Sequence, residues 1–333
     1  MKLETGIIRI RAFGEQDYSA VVALGNAVYP DYPWSEEEVR HWDSRFTAPG
    51  ITWERLLAEA QGQVLGVAEY HHDPYAYDPQ KLSIDVMVHP THQGRGVGSR
   101  LYDELRIRMA PLDPVLLWAN TRETFAQSIQ FLQRRGFVEK RRAWESRLDV
   151  AAFDPAPFLE KATRAVEGLE ITTVARERER DAEWVQKLYD LDLEVGEDVP
   201  RVDIYTPLPL AEHMRRLVDN PSWLPDAHFL ARDSNGQYVA ESNMFTSDRL
   251  ADVLYQGITG TRRAHRGRGV ALALKLRTVD YARRHGIREI RTWNDTLNAP
   301  MLRINEKLGF VRQPAWITFE NRLGEPAEAP TAR

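Results

Sequence analysis

Two short glycine-rich stretches decide the fold of this chain. Residues 93–98 read QGRGVG and residues 266–271 read RGRGVA. They lie 173 positions apart, the difference between positions 93 and 266. The GF pair at 136–137 recurs at 309–310 with the same offset, and the VAE triplet at 67–69 recurs at 239–241 with an offset of 172. A repeat period this long indicates duplicated domains rather than the short units of a solenoid.

The length of the chain agrees with a duplication. Its 333 residues suit two domains, because domains typically hold ~100–200 residues. We predict an amino-terminal domain at 1–150, a linker at 151–168, a carboxy-terminal domain at 169–325 and a disordered tail at 326–333. The DPAP segment at 154–157 interrupts secondary structure within the linker.

The composition excludes several classes of chemistry. The chain has no cysteine, which rules out disulfides, thiolate metal sites and a cysteine acyl-enzyme. The net charge of −5 disfavours a nucleic-acid partner, which would need a basic face. No apolar run approaches the ~18 residues of a membrane span, so we expect a cytoplasmic protein without a membrane partner. His71 and His72 are neighbours on a strand and point to opposite faces, so we expect no metal site.

The two halves share one order of strands and helices. In the first half, Ser35 and Glu38 form a capping box that predicts a helix start, and a hairpin turns at 61–62. A strand at 81–88 then runs into the first glycine stretch, and a helix follows. The last strand of each half is predicted at 143–148 and near Trp316, inside its own predicted domain.

The glycine stretches have the properties of phosphate-binding loops. Exposed N–H groups at a helix start bind phosphate oxygens, and glycine lets the backbone approach a bulky pyrophosphate closely. Arg95 and Arg268 are placed to add charge-assisted contacts. The alternative is a tight strand-to-helix turn without a ligand. The repetition of the whole strand, loop and helix favours binding.

Both loops match the pattern Gln/Arg-x-x-Gly-x-Gly/Ala of the GNAT superfamily of N-acetyltransferases. Val88-His89-Pro90 before the first loop fits as well, and segments 293–301 and 305–310 look like those of bacterial tandem members. The chain therefore resembles a tandem GNAT protein along nearly its whole length. The resemblance implies an α/β (α+β) fold of two tandem domains, each with a mixed, splayed central sheet flanked by helices.

The resemblance also implies acetyl-CoA, or another acyl-CoA, as co-substrate. The pantetheine arm would lie in the opening of the sheet, against the backbone of two strands. The residues expected at the two CoA sites are Met87, Val88, Gln93, Gly94, Arg95, Gly96, Val97, Gly98, Asn120, Gly260, Thr261, Arg266, Gly267, Arg268, Gly269, Val270 and Ala271.

Without a cysteine, we expect an amine to attack the thioester directly and a carboxylate to take its proton. Glu69 and Glu241 occupy matched positions in the repeat, and Asp85 lies on the strand that enters the first loop. The alternative for each is a solvated strand carboxylate. Glu241 is preferred because Asn294 and Asn298 are expected to converge near it.

Many GNAT members carry a tyrosine four residues before the Gly-Phe pair, as the acid for the leaving thiolate. These positions hold Leu132 and Asn305 here. Leu132 has no proton to donate, whereas Asn305 can form a hydrogen bond. This asymmetry favours the second half as the more active one.

The predicted function is transfer of an acetyl group from acetyl-CoA to a primary amine of a small molecule. Two alternatives stay open: one half, the first, is a non-catalytic CoA-binding or regulatory module, or the acceptor is an amine of a protein. Tyr29, Tyr32, Trp34 and Trp42 either line the acceptor site or pack the first two helices together.

Overall fold

The computed structural model describes residues 7–324, which form two compact units. Within that range the first unit holds residues 7–142 and 316–324, and the second holds 143–315. These boundaries differ from the predicted ones, since the segment 143–168 belongs to the second unit and the strand from Trp316 to the first. The predicted tail at 326–333 lies outside the described residues.

Strands and helices alternate along both units. The strands are β1 Arg9–Ala12, β2 Trp53–Ala60, β3 Gln63–His71, β4 Lys81–Val88, β5 Leu116–Arg122, β6 Val138–Asp149, β7 Glu170–Thr173, β8 Phe229–Arg232, β9 Tyr238–Phe245, β10 Val253–Thr261, β11 Glu289–Asp295, β12 Val311–Arg312 and β13 Trp316–Arg322. The α-helices are α1 Tyr18–Val28, α2 Glu36–Asp43, α3 Val97–Met109, α4 Ala126–Gln133, α5 Leu159–Ala165, α6 Val174–Arg180, α7 Trp184–Glu197, α8 Leu210–Val218, α9 Val270–Arg284 and α10 Ala299–Lys307.

The sheet of the first unit has the order β1-β2-β3-β4-β5-β13. Its strands are antiparallel except β4 and β5, which pair in parallel from Lys81 opposite Leu116 to Ile84 opposite Ala119. Beyond Ile84 the two strands no longer pair, so the sheet opens there. The second unit opens in the same way, because the parallel pairing of β10 with β11 ends at Tyr255. Mixed sheets flanked by helices confirm the predicted fold class.

The closing strands of the two units are exchanged relative to the repeat. β13, from the second half of the sequence, pairs with β5 from Trp316 opposite Arg122 onward. Residues 143–149 of β6, from the first half, pair with β11. The predicted strands are present, but each lies in the other unit. A repeat in the sequence predicts that a strand forms. It does not predict which strand will pair with it, because pairing depends on tertiary contacts.

Two helices cover opposite faces of the sheet in the first unit. Leu101 and Leu105 of α3 pack with Ile84 on one face, and Leu24 of α1 packs with Met87 on the other. Because side chains alternate along a strand, Asp85 lies on the same face as Met87, toward α1. This alternation decides which residues border the opening on each side.

The structure confirms two local predictions, the capping box of α2 and the hairpin turn at 61–62. The Oγ of Ser35 accepts from the N–H of Glu38 at 3.0 Å, and the carboxylate of Glu38 accepts from the N–H of Ser35 at 2.8 Å, which confirms the capping box. Gln61 and Gly62 have φ of 52° and 75°, as the predicted tight hairpin turn requires. The helices α6 and α8 were not predicted.

Gly260 on β10 lies in close contact with α7. A Cβ added at Gly260 would lie 2.0 Å from Cγ1 of Val195, whose side chain is buried. At Gly98 an added Cβ would meet its nearest atom, of Val88, at 3.5 Å, an ordinary contact.

Gly260→Ala should therefore lower the free energy of unfolding by about 1–3 kcal/mol through overpacking. Gly98→Ala, the matched control, should leave stability unchanged or slightly raised. Urea denaturation of the two variants measures the difference, and equal effects of the two changes would contradict the close contact.

Candidate active site

The first glycine loop joins β4 to α3 in an open conformation. The side-chain amide of Gln93 donates to the carbonyl of Val88 at 3.0 Å, which fixes the start of the loop. Gly94 and Gly96 have φ of 71° and 83°, in the left-handed region that favours glycine. A Cβ at either position would meet no atom within 4 Å, so one side of the loop is free of contacts. The loop therefore presents bare backbone at the start of a helix.

The second loop has the same local geometry. The guanidinium of Arg266 donates to the carbonyl of Thr261 at 2.9 Å, again five residues back. Gly267 and Gly269 have φ of 77° and 95°. This loop is less open than the first, since a Cβ at Gly269 would lie 3.4 Å from Cβ of Ala165 on α5.

Charged side chains of the second loop are also engaged within their own unit. Arg268 donates to the carbonyl of Glu167 at 3.1 Å, and Arg266 forms an ion pair with Asp198. In the first unit, by contrast, Arg95 is exposed.

A groove of about 390 Å³ follows the opening of the first sheet. Residues predicted from the sequence that line it are Asp85, Met87, Val88, Gln93, Gly94, Gly96, Gly98 and Asn120. Tyr29 of the aromatic cluster also lines the groove, as do Phe125, Arg134 and Arg135, which the sequence did not indicate as site residues. The side chain of Val97 is buried in the core, so only its backbone is available to a ligand.

Asp85 is the first residue of β4 beyond the last parallel pair, and its carboxyl borders the groove. It lies opposite Glu69 in the antiparallel pairing of β3 and β4. Burial, together with the charge of Glu69, raises the pKa of Asp85 to about 7. The groove therefore contains a carboxyl group that exchanges its proton near neutral pH.

An arginine keeps Glu69 ionised. Although burial opposes ionisation, the charge of Arg55 holds the pKa of Glu69 below its usual value. Nε of Arg55 donates to Glu69 at 2.7 Å, and its two Nη atoms donate to Asp43 at 2.8 Å each. Asp43, Arg55 and Glu69 form a fixed ion-pair cluster behind Asp85.

The aromatic residues near α1 divide into two groups. The ring centroid of Tyr29 lies 5.6 Å from that of Phe125 and 5.5 Å from that of Trp316, beside the groove. Trp34 and Trp42 meet edge to face at 5.6 Å and pack against the apolar residues of α1 and α2. Tyr29 therefore lies beside the groove, whereas Trp34 and Trp42 belong to the packing of the first two helices.

Glu241 lies in a buried hydrogen-bonded chain of the second unit. Trp223 donates from Nε1 to Nδ1 of His228 at 3.3 Å. The Nδ1 of His228 is therefore the acceptor, and its Nε2–H donates to Glu241 at 3.0 Å. Burial lowers the pKa of His228 to about 4, so this histidine is neutral.

A second carboxyl group adjoins Glu241. Burial, and then the charge of Asp192, raises the pKa of Glu241 well above its usual value. Asp192 lies 2.7 Å from Nε2 of His213. Burial and the charge of Asp192 therefore both favour the protonated form of Glu241, whereas Arg55 favours the ionised form of Glu69.

The strand registers correct the expected equivalence of the two glutamates. Val88 and Thr261 hold the same place relative to the loops, and they pair with Gly66 and Ala240. Glu69 lies three residues beyond Gly66, whereas Glu241 lies one residue beyond Ala240. Each carboxyl therefore lies on the equivalent face of its own unit, but Glu69 lies two residues farther along its strand from the loop than Glu241 does. A register shift in the pairing of β10 with β9 accompanies this difference.

The three asparagines of the second unit have separate roles. Nδ2 of Asn305 donates to Oδ1 of Asn294 at 2.6 Å. Oδ1 of Asn298 accepts from the N–H of Met301 at 3.3 Å and caps α10. Among residues 7–324 none of the three forms a hydrogen bond to Glu241. Leu132 of the first unit lies in the core.

Comparison with known proteins agrees with the two loops and the open sheets. The acetyltransferase (GNAT) family profile matches residues 20–137 and 201–310. The chain belongs to the GNAT acetyltransferase family. The predicted tandem organisation and N-acetyltransferase class are thereby confirmed.

Two curated relatives cover most of this acetyltransferase. The mycothiol acetyltransferase of Amycolatopsis mediterranei (strain U-32) is 25% identical over 279 residues, which is 80% of this chain and 83% of the relative. The mycothiol acetyltransferase of Acidothermus cellulolyticus (strain ATCC 43068 / DSM 8971 / 11B) is 27% identical over 262 residues, covering 74% and 73% of the two chains.

Solved structures share the fold. A tandem GNAT protein from the clavulanic acid biosynthesis pathway gives a TM-score of 0.75 at 18% identity, covering 96% of this chain and 99% of that one. A GCN5-related N-acetyltransferase from Sphaerobacter thermophilus gives 0.67 at 22% identity, covering 94% and 95%. Across residues 7–324, no helix is both long and apolar enough to span a membrane.

The matched loop geometry predicts two CoA sites per chain. Gly96→Glu and Gly269→Glu each place bulk and negative charge against a phosphate, so each should abolish one site. Titration calorimetry with acetyl-CoA counts the sites. Gly286→Glu is the control, because Gly286 has a φ of 69° and open surroundings but lies outside both loops. A single site in the unmodified protein would contradict the prediction.

Proposed function

We propose that this protein transfers an acetyl group from acetyl-CoA to a primary amine of a small molecule, and that the chemistry takes place in the first unit. The observation that carries the proposal is Asp85, a carboxyl with a pKa of about 7 in the groove beside the first glycine loop. The sequence favoured the second half and Glu241. The contacts of the two carboxyls favour the first.

The groove suits acetyl-CoA at both ends. The free side of the loop at Gly94 and Gly96 leaves room for a pyrophosphate against the backbone. Arg134 and Arg135 line the same groove and supply positive charge. Met87 and Val88 lie beyond the last pair with β5, so their backbone groups are available to the pantetheine arm.

Asp85 has the pKa that a general base needs at neutral pH. An aliphatic amine has a pKa of ~10 and is mostly protonated, so a proton must leave before nitrogen attacks. A base with a pKa near the working pH combines a useful ionised fraction with useful basicity. The environment of Glu241, by contrast, disfavours the ionised form that a base needs, because burial and the charge of Asp192 both raise its pKa.

The reaction then proceeds in one displacement. Asp85 takes the proton of the amine, the amine nitrogen bonds to the thioester carbon, and the carbon–sulfur bond breaks. The nitrogen then loses its second proton, which a water molecule relays to the leaving thiolate, because Leu132 occupies the place of the usual acid. A backbone N–H in the opened part of β4 would stabilise the negative oxygen of the intermediate.

A small acceptor agrees with the size and walls of the groove. Its volume of about 390 Å³ is in the range of small-molecule sites, which are ~300–1,000 Å³. Tyr29 and Phe125 form an aromatic wall close to Asp85. The curated relatives carry the name of a small-molecule acetyltransferase. The second unit, where the environment of Glu241 disfavours ionisation, would serve as a CoA-binding or regulatory module.

Asp85→Asn should lower turnover about 10²–10⁴-fold, the usual contribution of one acid–base group, with little change in acetyl-CoA affinity. In the unmodified enzyme kcat/KM should rise with pH through about 7, as Asp85 loses its proton, and the variant should lack this rise. The assay follows CoA release across a panel of amines.

Glu241→Gln is the matched control, because the amide oxygen still accepts from Nε2–H of His228. It should retain most of the turnover. A large loss in Glu241→Gln with normal turnover in Asp85→Asn would place the chemistry in the second unit instead.

Stability gives a second readout of the raised pKa that needs no acceptor. The pKa of Asp85 is about 7 in the folded protein and 3.8 in an ordinary aspartate. Between these values the folded state binds more protons than the unfolded state, so this group makes the protein less stable as pH rises. The free energy of unfolding of Asp85→Asn relative to the unmodified protein should therefore increase from pH 4 to pH 7. A difference that is constant with pH would contradict the raised pKa.

A further inference from the structure

Arg122, the last residue of β5, has a buried guanidinium among aromatic rings. The residue is 9% exposed. Its guanidinium carbon lies 5.2 Å from the ring centroid of Tyr32 and 5.7 Å from that of Trp316. These rings stabilise the positive charge but offer it no acceptor in the plane of its N–H groups.

The hydrogen-bonding capacity of this guanidinium is unused. Its Nε is buried without a partner. The nearest carboxylate is that of Asp31, 3.7 Å from Nη1, with a side chain that is 59% exposed. Throughout residues 7–324 the Arg122 side chain donates no hydrogen bond. An arginine has five N–H donors, and burying even one of them unpaired, here the Nε–H, costs free energy. Such a group in a native fold calls for an explanation, and a ligand supplies one.

Arg122 lies on the same face of the sheet as Asp85, although it does not itself line the groove. Asn120, two residues earlier on β5, lines the groove, and alternate residues of a strand share a face. Tyr29 connects this position to Asp85: burial raises the pKa of Tyr29, the charge of Asp85 raises it further, and the charge of Arg122 lowers it. Both charged groups therefore act on the same hydroxyl beside the groove.

We propose that the acceptor of the first unit carries a carboxylate as well as its amine, and that Arg122 binds this carboxylate while the amine faces Asp85. The inference rests on the proposed function and names the acceptor class for the same site. A planar guanidinium matches a carboxylate with two parallel hydrogen bonds. A basic group and an acidic group that both act on Tyr29 complement the two charges of an amino acid.

The test compares amines that differ only in the carboxylate, such as γ-aminobutyrate with butylamine, and α-amino acids with their amides. A hydrogen-bonded pair with a charged group is worth about 10- to 100-fold in kcat/KM. We expect the carboxylated member of each pair to be favoured by this factor. CoA release with acetyl-CoA as donor gives the rates.

Arg122→Gln should abolish the preference by raising KM for the carboxylated amines, with little effect on their uncharged counterparts. Arg122→Lys, which retains the charge but not the planar fork, should restore part of it. Arg40→Gln is the matched control, since that guanidinium also lies over a ring, 3.8 Å from the centroid of Tyr18, but belongs to exposed ion pairs. It should leave the preference intact.

Equal rates within each pair, or a preference that survives Arg122→Gln, would overturn the proposal while leaving acetyl-CoA-dependent acetylation in place. Acetylation of uncharged amines alone would do the same. If no amine of either series is acetylated although acetyl-CoA binds, both this proposal and the proposed function fail.

Discussion

The end of parallel pairing at Ile84 is the constraint on which the first unit depends. In a closed sheet, the backbone groups of β4 beyond this residue would be satisfied by β5. Because the strands separate, those groups face a groove, and the side chains beside it come from both strands. Asp85 follows directly on one strand, and Asn120 follows on the other. The glycine loop then completes the groove where β4 ends.

The second unit has the same opening but fills it differently. Gln256 is the first residue beyond the last parallel pair, and it is buried. Its amide donates to Oγ of Ser242 at 3.0 Å and accepts from Thr278 at 3.0 Å. An uncharged, fully engaged amide therefore follows the last pair, where the first unit has a carboxyl that titrates near neutral pH. The two units therefore share the opening of the sheet but differ in the charge of the residue that follows it.

The sequence predicted those features that depend on local backbone requirements. Gly94 and Gly96 adopt a left-handed φ that few other residues tolerate, so the glycines allow the loop to be predicted from the sequence. The sequence does not predict the environment of each carboxyl, because Arg55, Asp192 and His228 come from other parts of the chain. The register shift in β10 left no mark in the repeat, so Glu69 and Glu241 looked equivalent. Arg122 lies in no motif. Its significance depends on the missing hydrogen-bond partner of its Nε–H, which only the structure shows.

The exchanged strands have a consequence for how the protein is made. A ribosome delivers a chain from its amino terminus, and domains ordinarily fold in that order as they emerge. Here β5 gains β13 as its neighbour only after residues 316–322 have been synthesised. The same strand supplies Trp316 to the wall beside Tyr29. The first unit is therefore the first to be translated and among the last parts to be completed, because its sheet gains its final strand only after synthesis has passed through the second unit.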